Sequence, residues 1–316
     1  MNATLETAEL QEERGPHWVS RAAFPIVLLV FAFNQVALGI SVYHRWYWAA
    51  FLLLLTTSHL MHGLLIGFHE ASHGLLRRNR RINEIDGILL GTFSLMSFSL
   101  YRAAHQSHHA HLATEQDEEL WPFVLPSISR WRRLLAAVLE LNVGYLFTPF
   151  LFFRTFLRRG SPIRNQKLRR RIWAEMALMA GIWFTLLSVV TWIGIWKYFL
   201  WIYLAPAILA GNLQSWRKYI EHVGMTGSTV NSSTRSIIAD GPIGRFVSFS
   251  LLHEPYHGVH HRYSGLPHAE LPAHVAELQP RSSEEIAPFP SYRHALIHLL
   301  SNLPDPRVGA QWRLTS

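Results

Sequence analysis

Apolar positions along this chain gather into long runs rather than alternating with polar ones. Ala22 to Val42 is nearly continuous apolar, and after a tight loop at Tyr43–Trp46 a second run extends from Tyr47 to Phe68. Each is long enough to cross a hydrocarbon core of about 30 Å as a helix. The loop between them carries aromatic residues where the membrane interface would fall. The two runs predict a helical hairpin that returns the chain to its starting side. Ile172 to Ile195 predicts a third span and Tyr198 to Asn212, with its flanks, a fourth; only Lys197 is charged between them.

Two further stretches are less apolar. In Ile82 to Tyr101 the run Ile88–Leu100 is broken by Ser and Gly, which predicts an interfacial or re-entrant helix. Leu134 to Leu157 is interrupted by Glu140, Asn142 and Pro149, and is followed by the most basic part of the chain, Arg158–Arg159 and Arg164 to Arg171. A full crossing at 134–157 would put those arginines outside, against the positive-inside bias. That segment is therefore expected in the interface or beneath a cytosolic cap. Residues 1–21 are polar and predict a short cytosolic tail. Gln214 to Ser316 is polar and predicts a cytosolic cap ending in a Pro-rich tail. No internal repeat or low-complexity linker divides the chain, so 1–316 is expected to be one domain.

Composition sharpens this. Of 316 residues 49% are apolar and only 16% charged, and the mean hydropathy is above zero, which is too greasy for an ordinary soluble domain. The formal net charge is +8. In a membrane protein such an excess marks the cytoplasmic side rather than nucleic-acid binding, and no nucleic-acid partner is expected. Four spans with both ends inside leave Arg45 and Lys197 as the only basic residues outside, among 29. With no Cys, disulfides, Fe–S clusters and thiolate zinc sites are excluded.

The candidate chemistry lies at the ends of the apolar runs. His69-Glu-Ala-Ser-His73 is an HxxxH; His105-Gln-Ser-His-His109 and His257-Gly-Val-His-His261 are both HxxHH. Residues three or four apart share a helix face, and neutral imidazole is the commonest protein metal ligand. Three such clusters point to metal, and eight ligands exceed the four of a structural zinc site, so a pair of ions is expected. The four-span topology puts all three clusters on one face. His59 and His62 fall inside the second span, where they read as polar residues facing the bundle. The acidic stretch Thr114–Glu119 has two readings: a solvated turn, or carboxylates that accept the outer N–H of ligating imidazoles.

The order HxxxH, HxxHH, a lone His in Glu221-His222, then HxxHH, with about four spans, resembles the membrane fatty acid desaturase family over roughly residues 50–275. The resemblance implies an all-α, polytopic fold: four transmembrane helices with a cytosolic helical cap holding a histidine-ligated di-iron site. It implies two Fe2+ held by His69, His73, His105, His108, His109, His222, His257, His260 and His261. It implies a lipid acyl substrate, O2 and a desaturase reaction, with hydroxylation or ketolation of an alkyl, fatty acyl or carotenoid substrate as the alternative outcome. The first box is the HxxxH of acyl-lipid desaturases. Lys218 stands where the acyl-CoA branch has an Asn, and His257 stands where the front-end branch has Gln. No HPGG heme segment is present, so a separate electron donor of ferredoxin, rubredoxin or cytochrome b5 type is expected. The expected location is a bacterial inner membrane, with both termini and the metal site cytoplasmic. His111, His253 and His268 are expected to flank the ligands, and His274, His294 and His298 to have no metal role.

Overall fold

The computed structural model describes residues 21–239 and 241–314. Most of the expected N-terminal tail therefore lies outside the described residues. In chain order the helices are α1 (Ala23–Tyr43), α2 (Tyr47–His73), α3 (Arg80–Phe93), α4 (Phe98–Ala110), α5 (Arg130–Leu157) and α6 (Gln166–Ile193). A single turn at Trp196–Tyr198 and a π-helical stretch, Phe199–Leu204, lead into α7 (Ala205–His222). Then come α8 (Val230–Ser233), α9 (Pro242–Ser250), α10 (His257–Arg262), a 3-10 stretch at His268–Leu278 and α11 (Tyr292–Asn302). No strand occurs among the described residues; one isolated bridge joins Ile237 and Phe289. Contacts divide the chain into two compact units. Pro25–Gln106 and Val138–Trp216 form one, here the span unit; the described parts of 1–24, 107–137 and 217–316 form the other, the polar unit.

In the span unit α1 and α2 form the expected hairpin. The turn is closed by the Trp46 N–H donating to the Ser41 carbonyl at 2.9 Å, with Arg45 left-handed at φ 61°. Asn34 locks the register: its Nδ2 donates to the Leu53 carbonyl and to Thr57 Oγ1, and its Oδ1 accepts from Thr56 Oγ1. Many apolar side chains of this unit point away from the protein, including Leu29, Phe33, Leu52, Phe184 and Trp192. So much exposed apolar surface is tolerable in lipid and not in water. By length and apolarity α1, α2, α5 and α6 could each cross a membrane.

Contacts inside this unit fix the direction of α6. Near its start Arg171 pairs with Glu84 of α3, close after the C-terminal end of α2. Beyond its other end Lys197 Nζ donates to the Val42 carbonyl at 3.0 Å, beside the α1–α2 turn. The chain then runs back: Trp201 stacks on Tyr47, and Ala207 and Ala210 lie beside Met61, Leu64 and Leu65. This return was expected as one helical span. It is instead broken by the π-helical stretch, and α7 is too polar to qualify on composition.

The two ambiguous segments resolve differently from each other. Where one helix is expected over 82–101, the structure has α3 and α4 with a turn between them, each too short for a crossing at 1.5 Å per residue. Gly91 makes that turn possible, because a Cβ there would lie 2.5 Å from the Met96 carbonyl oxygen. Segment 134–157 becomes α5, which meets the length and composition of a span although the sequence places it in the interface. It is broken at Val143 (φ −130°), and the exposed backbone is met by Asn212, whose Oδ1 accepts from Gly144 N and whose Nδ2 donates to the Asn142 carbonyl. Its last turns, Phe152 and Phe156, pack with Phe68 and Tyr101 at the end of the unit where α2 closes.

The basic stretch after α5 divides into two kinds of residue. Arg169 donates to the Phe156 and Ile163 carbonyls and lies over the Phe156 ring, while Arg171 pairs with Glu84 and Glu175. Both hold the fold. Arg158, Arg159, Arg164, Lys167 and Arg170 are exposed.

Candidate metal centre

The span unit brings three of the expected ligands together. His69 and His73 lie one turn apart at the C-terminal end of α2, which stops at Gly74 in the left-handed conformation (φ 79°). His105 of α4 meets them: ring centroids are 4.5 Å from His69 and 5.0 Å from His73, and the Nε2 atoms of His73 and His105 are 3.1 Å apart. Tyr101 stacks on the His105 ring at 5.3 Å and 7°. Glu175 of α6 fixes the start of α4. It accepts from the Ser97 and Ser99 hydroxyls and from the Ser99 backbone N–H, at 2.6–2.8 Å. Apart from its i,i+4 partner Arg171, nothing local in the sequence marks this carboxylate, because its partners on and before α4 lie more than 70 residues away.

The polar unit gathers the other six. His108 and His109 stand on the last turn of α4, His222 ends α7, and His257, His260 and His261 form α10. The His108, His222 and His261 ring centroids lie 4.9–5.2 Å from one another. Three Nε2···Nε2 pairs are at bonding range: His222–His257 at 2.9 Å, His257–His261 at 3.1 Å and His109–His260 at 3.1 Å. His59 and His62, by contrast, belong to no ligand group among the described residues.

The outer nitrogens decide which atom each ring presents. His108 Nδ1 faces both Asp117 oxygens at 2.8 and 2.9 Å, His257 Nδ1 faces Glu254 Oε1 at 3.0 Å, and His222 Nδ1 faces the Ser233 carbonyl at 3.3 Å. Each Nδ1 therefore donates its proton outward and leaves Nε2 unprotonated on the inner side. Two unprotonated Nε2 atoms at 2.9 Å repel unless a cation lies against both. Metal–nitrogen bonds of about 2.1 Å set at right angles place donor nitrogens about 3.0 Å apart. The observed separations fit that geometry, so these clusters can hold metal.

Burial keeps two of these imidazoles neutral. It pushes His222 and His261 well below the ordinary histidine range, and the neighbouring histidines push the same way. His108 shifts the other way: burial lowers it, but Asp117 and Glu119 together outweigh burial and raise it. Asp117 is itself held by the backbone N–H groups of Ala113, Glu119 and Leu120. Of the two readings of the acidic stretch, Asp117 thus takes the ligand-holding one.

A carboxylate pair was missed from the sequence. Glu221 and Glu254 are both buried and share the Arg217 guanidinium, whose Nη1 donates to each at 2.6 Å. His253 and His268 stack on each other at 5.7 Å, and burial lowers them to about 4 and about 3. His298 accepts from Arg235, and His294 is an exposed residue beside Ser291.

Long apolar helices and clustered imidazoles define a class, that of polytopic helical membrane proteins with histidine clusters able to hold metal. The comparison with known families narrows it: the fatty acid desaturase family matches residues 45–293, and this chain belongs to that family. It is an integral membrane protein of an oxidoreductase family. Similar proteins include a chloroplastic omega-3 fatty acid desaturase of Glycine max, 25% identical over 138 residues, covering 43% of this chain and 28% of that protein. An omega-6 fatty acid desaturase of the endoplasmic reticulum (isozyme 1), also of Glycine max, is 19% identical over 232 residues, covering 66% of this chain and 60% of the relative. The chain spans less than two thirds of the length of either.

Proposed function

We propose that this chain is an O2-dependent desaturase that introduces a double bond into a lipid acyl chain, with two Fe2+ held by the nine histidines named above. The observation that carries the reading is the tautomer pattern. Carboxylate or carbonyl oxygens take the outer N–H of His108, His222 and His257, leaving their Nε2 atoms to bind metal. Bound iron supplies the O2-derived oxidising power to remove hydrogen from an unactivated methylene, which no side-chain acid or base can do. The protein holds the ligands and excludes water. In the span unit an apolar cavity, lined by Met61, Leu64, Leu65, Leu90, Phe93, Ala207 and Ala210, is suited to a methylene chain. Tyr145 and Tyr203 bond each other there, and Tyr203 donates to the Phe93 carbonyl, so their hydroxyls are satisfied without water. We propose further that 1–316 acts as one desaturase domain.

Mass spectrometry of host lipids with and without expression tests this reading. An acyl species lighter by two hydrogens supports it. A species heavier by one oxygen would replace desaturation with hydroxylation, and unchanged lipids would overturn both.

The proposed topology puts both termini and the metal ligands on the cytoplasmic side of a bacterial inner membrane. It rests on the positive-inside bias and on the shared ends of α6 and the α1–α2 hairpin. Reporters fused after Gly160 and after Ser316 are expected to read cytoplasmic, and one inserted at Arg45 external. An external reading at Gly160 would make α5 a full crossing.

The two electrons of each turnover come, in this proposal, from a separate ferredoxin, rubredoxin or cytochrome b5 type of protein. Arg159, Arg164, Lys167 and Arg170 are placed to attract an acidic donor, and such attraction weakens as salt shortens the Debye length to about 8 Å at physiological strength. Changing these four to Gln is expected to slow donor-driven turnover and flatten its salt dependence, leaving chemically reduced turnover unchanged. Arg169 and Arg171 are unsuitable for this test because they hold the fold. Equal loss in both assays would assign the four to folding or lipid contact.

A further inference from the structure

The Glu221 carboxylate lies among the expected metal ligands rather than behind them. Its neighbour Glu254 contacts His257 from outside, at Nδ1, 3.0 Å away. Glu221 Oε2 instead approaches the opposite ring nitrogen, Nε2, at 3.7 Å. That same Nε2 is 2.9 Å from Nε2 of His222. Ligand atoms of Glu221, His222 and His257 all lie within 4.8 Å of one another, and all three residues are buried. Metal–oxygen and metal–nitrogen bonds of about 2.0–2.2 Å put donors about 3.0 Å apart when adjacent and about 4.1 Å when opposite. The 3.7 Å separation falls between these limits.

The electrostatics of Glu221 point the same way. Both Glu221 oxygens accept from Arg217 Nη1 at 2.6 Å, and the same nitrogen donates to Glu254 Oε1 at 2.6 Å. One guanidinium shared between two buried carboxylates leaves Glu221 short of positive charge. A divalent cation on the His222–His257 side supplies it, and iron accepts carboxylate and imidazole together in other di-iron bundles.

We infer that Glu221 is a tenth metal ligand, giving one ion of the pair a mixed carboxylate–imidazole set in an otherwise all-histidine site. The inference rests on the di-iron reading above. Its partner residue Arg217 then acts as a positioning residue, holding the carboxylate at the metal rather than touching it.

Anaerobic titration of the purified full chain with Fe2+, followed by chelator competition, tests this without turnover. The unaltered chain is expected to bind two equivalents. Glu221→Gln should bind one equivalent as before and the other at least tenfold more weakly. If Glu221 only neutralises Arg217, then removing both, as Glu221→Gln with Arg217→Met, restores two-equivalent binding; if it is a ligand, the deficit persists. Restoration in the double variant, or unchanged binding in Glu221→Gln, overturns the inference. Should Glu221→Gln not elute as a single species, Glu221→Asp decides through the ligand-field bands of the Co2+-loaded chain. Shifted bands support ligation, and bands identical to those of the unaltered chain overturn it. An unaltered chain that takes up no iron would instead remove the di-iron reading, and this inference with it.

Discussion

Replacing His109 with alanine is expected to abolish turnover and to lower bound iron, whereas His294→Ala should change neither. His109 stands on the last turn of α4 with its Nε2 3.1 Å from that of His260, inside the six-histidine cluster. His294 is exposed near the start of α11, where its Nδ1 meets Ser291 Oγ at 2.8 Å. A residue that only orients a ligand typically changes metal affinity or activity by about 10–100-fold, and loss of a ligand in a shared two-ion site should exceed that. Activity assays paired with metal analysis of each purified variant make the comparison. Full activity in the His109 variant would sink the ligand assignment.

Asp117 is where the second large effect is expected, although the residue touches no metal in this account. Its carboxylate orients His108 and also accepts three backbone N–H groups, from Ala113, Glu119 and Leu120. Asp117→Asn keeps an acceptor but loses the charge, so iron affinity should fall by about 10–100-fold with the fold retained. Asp117→Ala also leaves buried donors unmet, at about 1–3 kcal/mol for each that water cannot reach. It is therefore expected to lose thermal stability as well as iron. Iron affinity in Asp117→Asn equal to that of the unaltered chain would reduce Asp117 to a loop-holding role.

These two residues differ in how they can be found. His109 is visible in the sequence because its partners repeat at helical intervals: three and four residues apart in HxxxH and HxxHH put imidazoles on one face whatever the rest of the chain does. The apolar runs are visible for a similar reason. The cost of leaving backbone polar groups unpaired in hydrocarbon makes a run of this length a helix. Together they define the all-helical membrane class and most of the expected ligand set from local pattern alone.

Asp117 could be only half read, since an acid in a loop looks alike whether solvated or buried against an imidazole. Glu175, Glu221, Glu254 and Arg217 were beyond local pattern. Arg217 and Glu221 are an ordinary i,i+4 pair by spacing, and only the approach of Glu254, from another segment, turns them into a buried cluster beside His257. The same limit explains the basic stretch. Composition gives Arg169, Arg170 and Arg171 one meaning, but the helical turn sends Arg169 back to the Phe156 carbonyl and Arg171 to Glu84, leaving Arg170 outward.

The spans show the boundary between the two kinds of information. Apolarity along the chain predicts a crossing at Tyr198–Asn212 and an interfacial segment at 134–157, whereas the helices that form are long and apolar enough to cross at α5 and not at α7. The direction of α6 and the return of the chain beyond it come instead from pairings distant in sequence, Arg171 with Glu84 and Lys197 with Val42. Hydropathy is a sum over neighbours along the chain, so it reports an affinity for lipid. Which helix ends lie together depends on polar groups meeting from separate segments, and that only the tertiary structure decides.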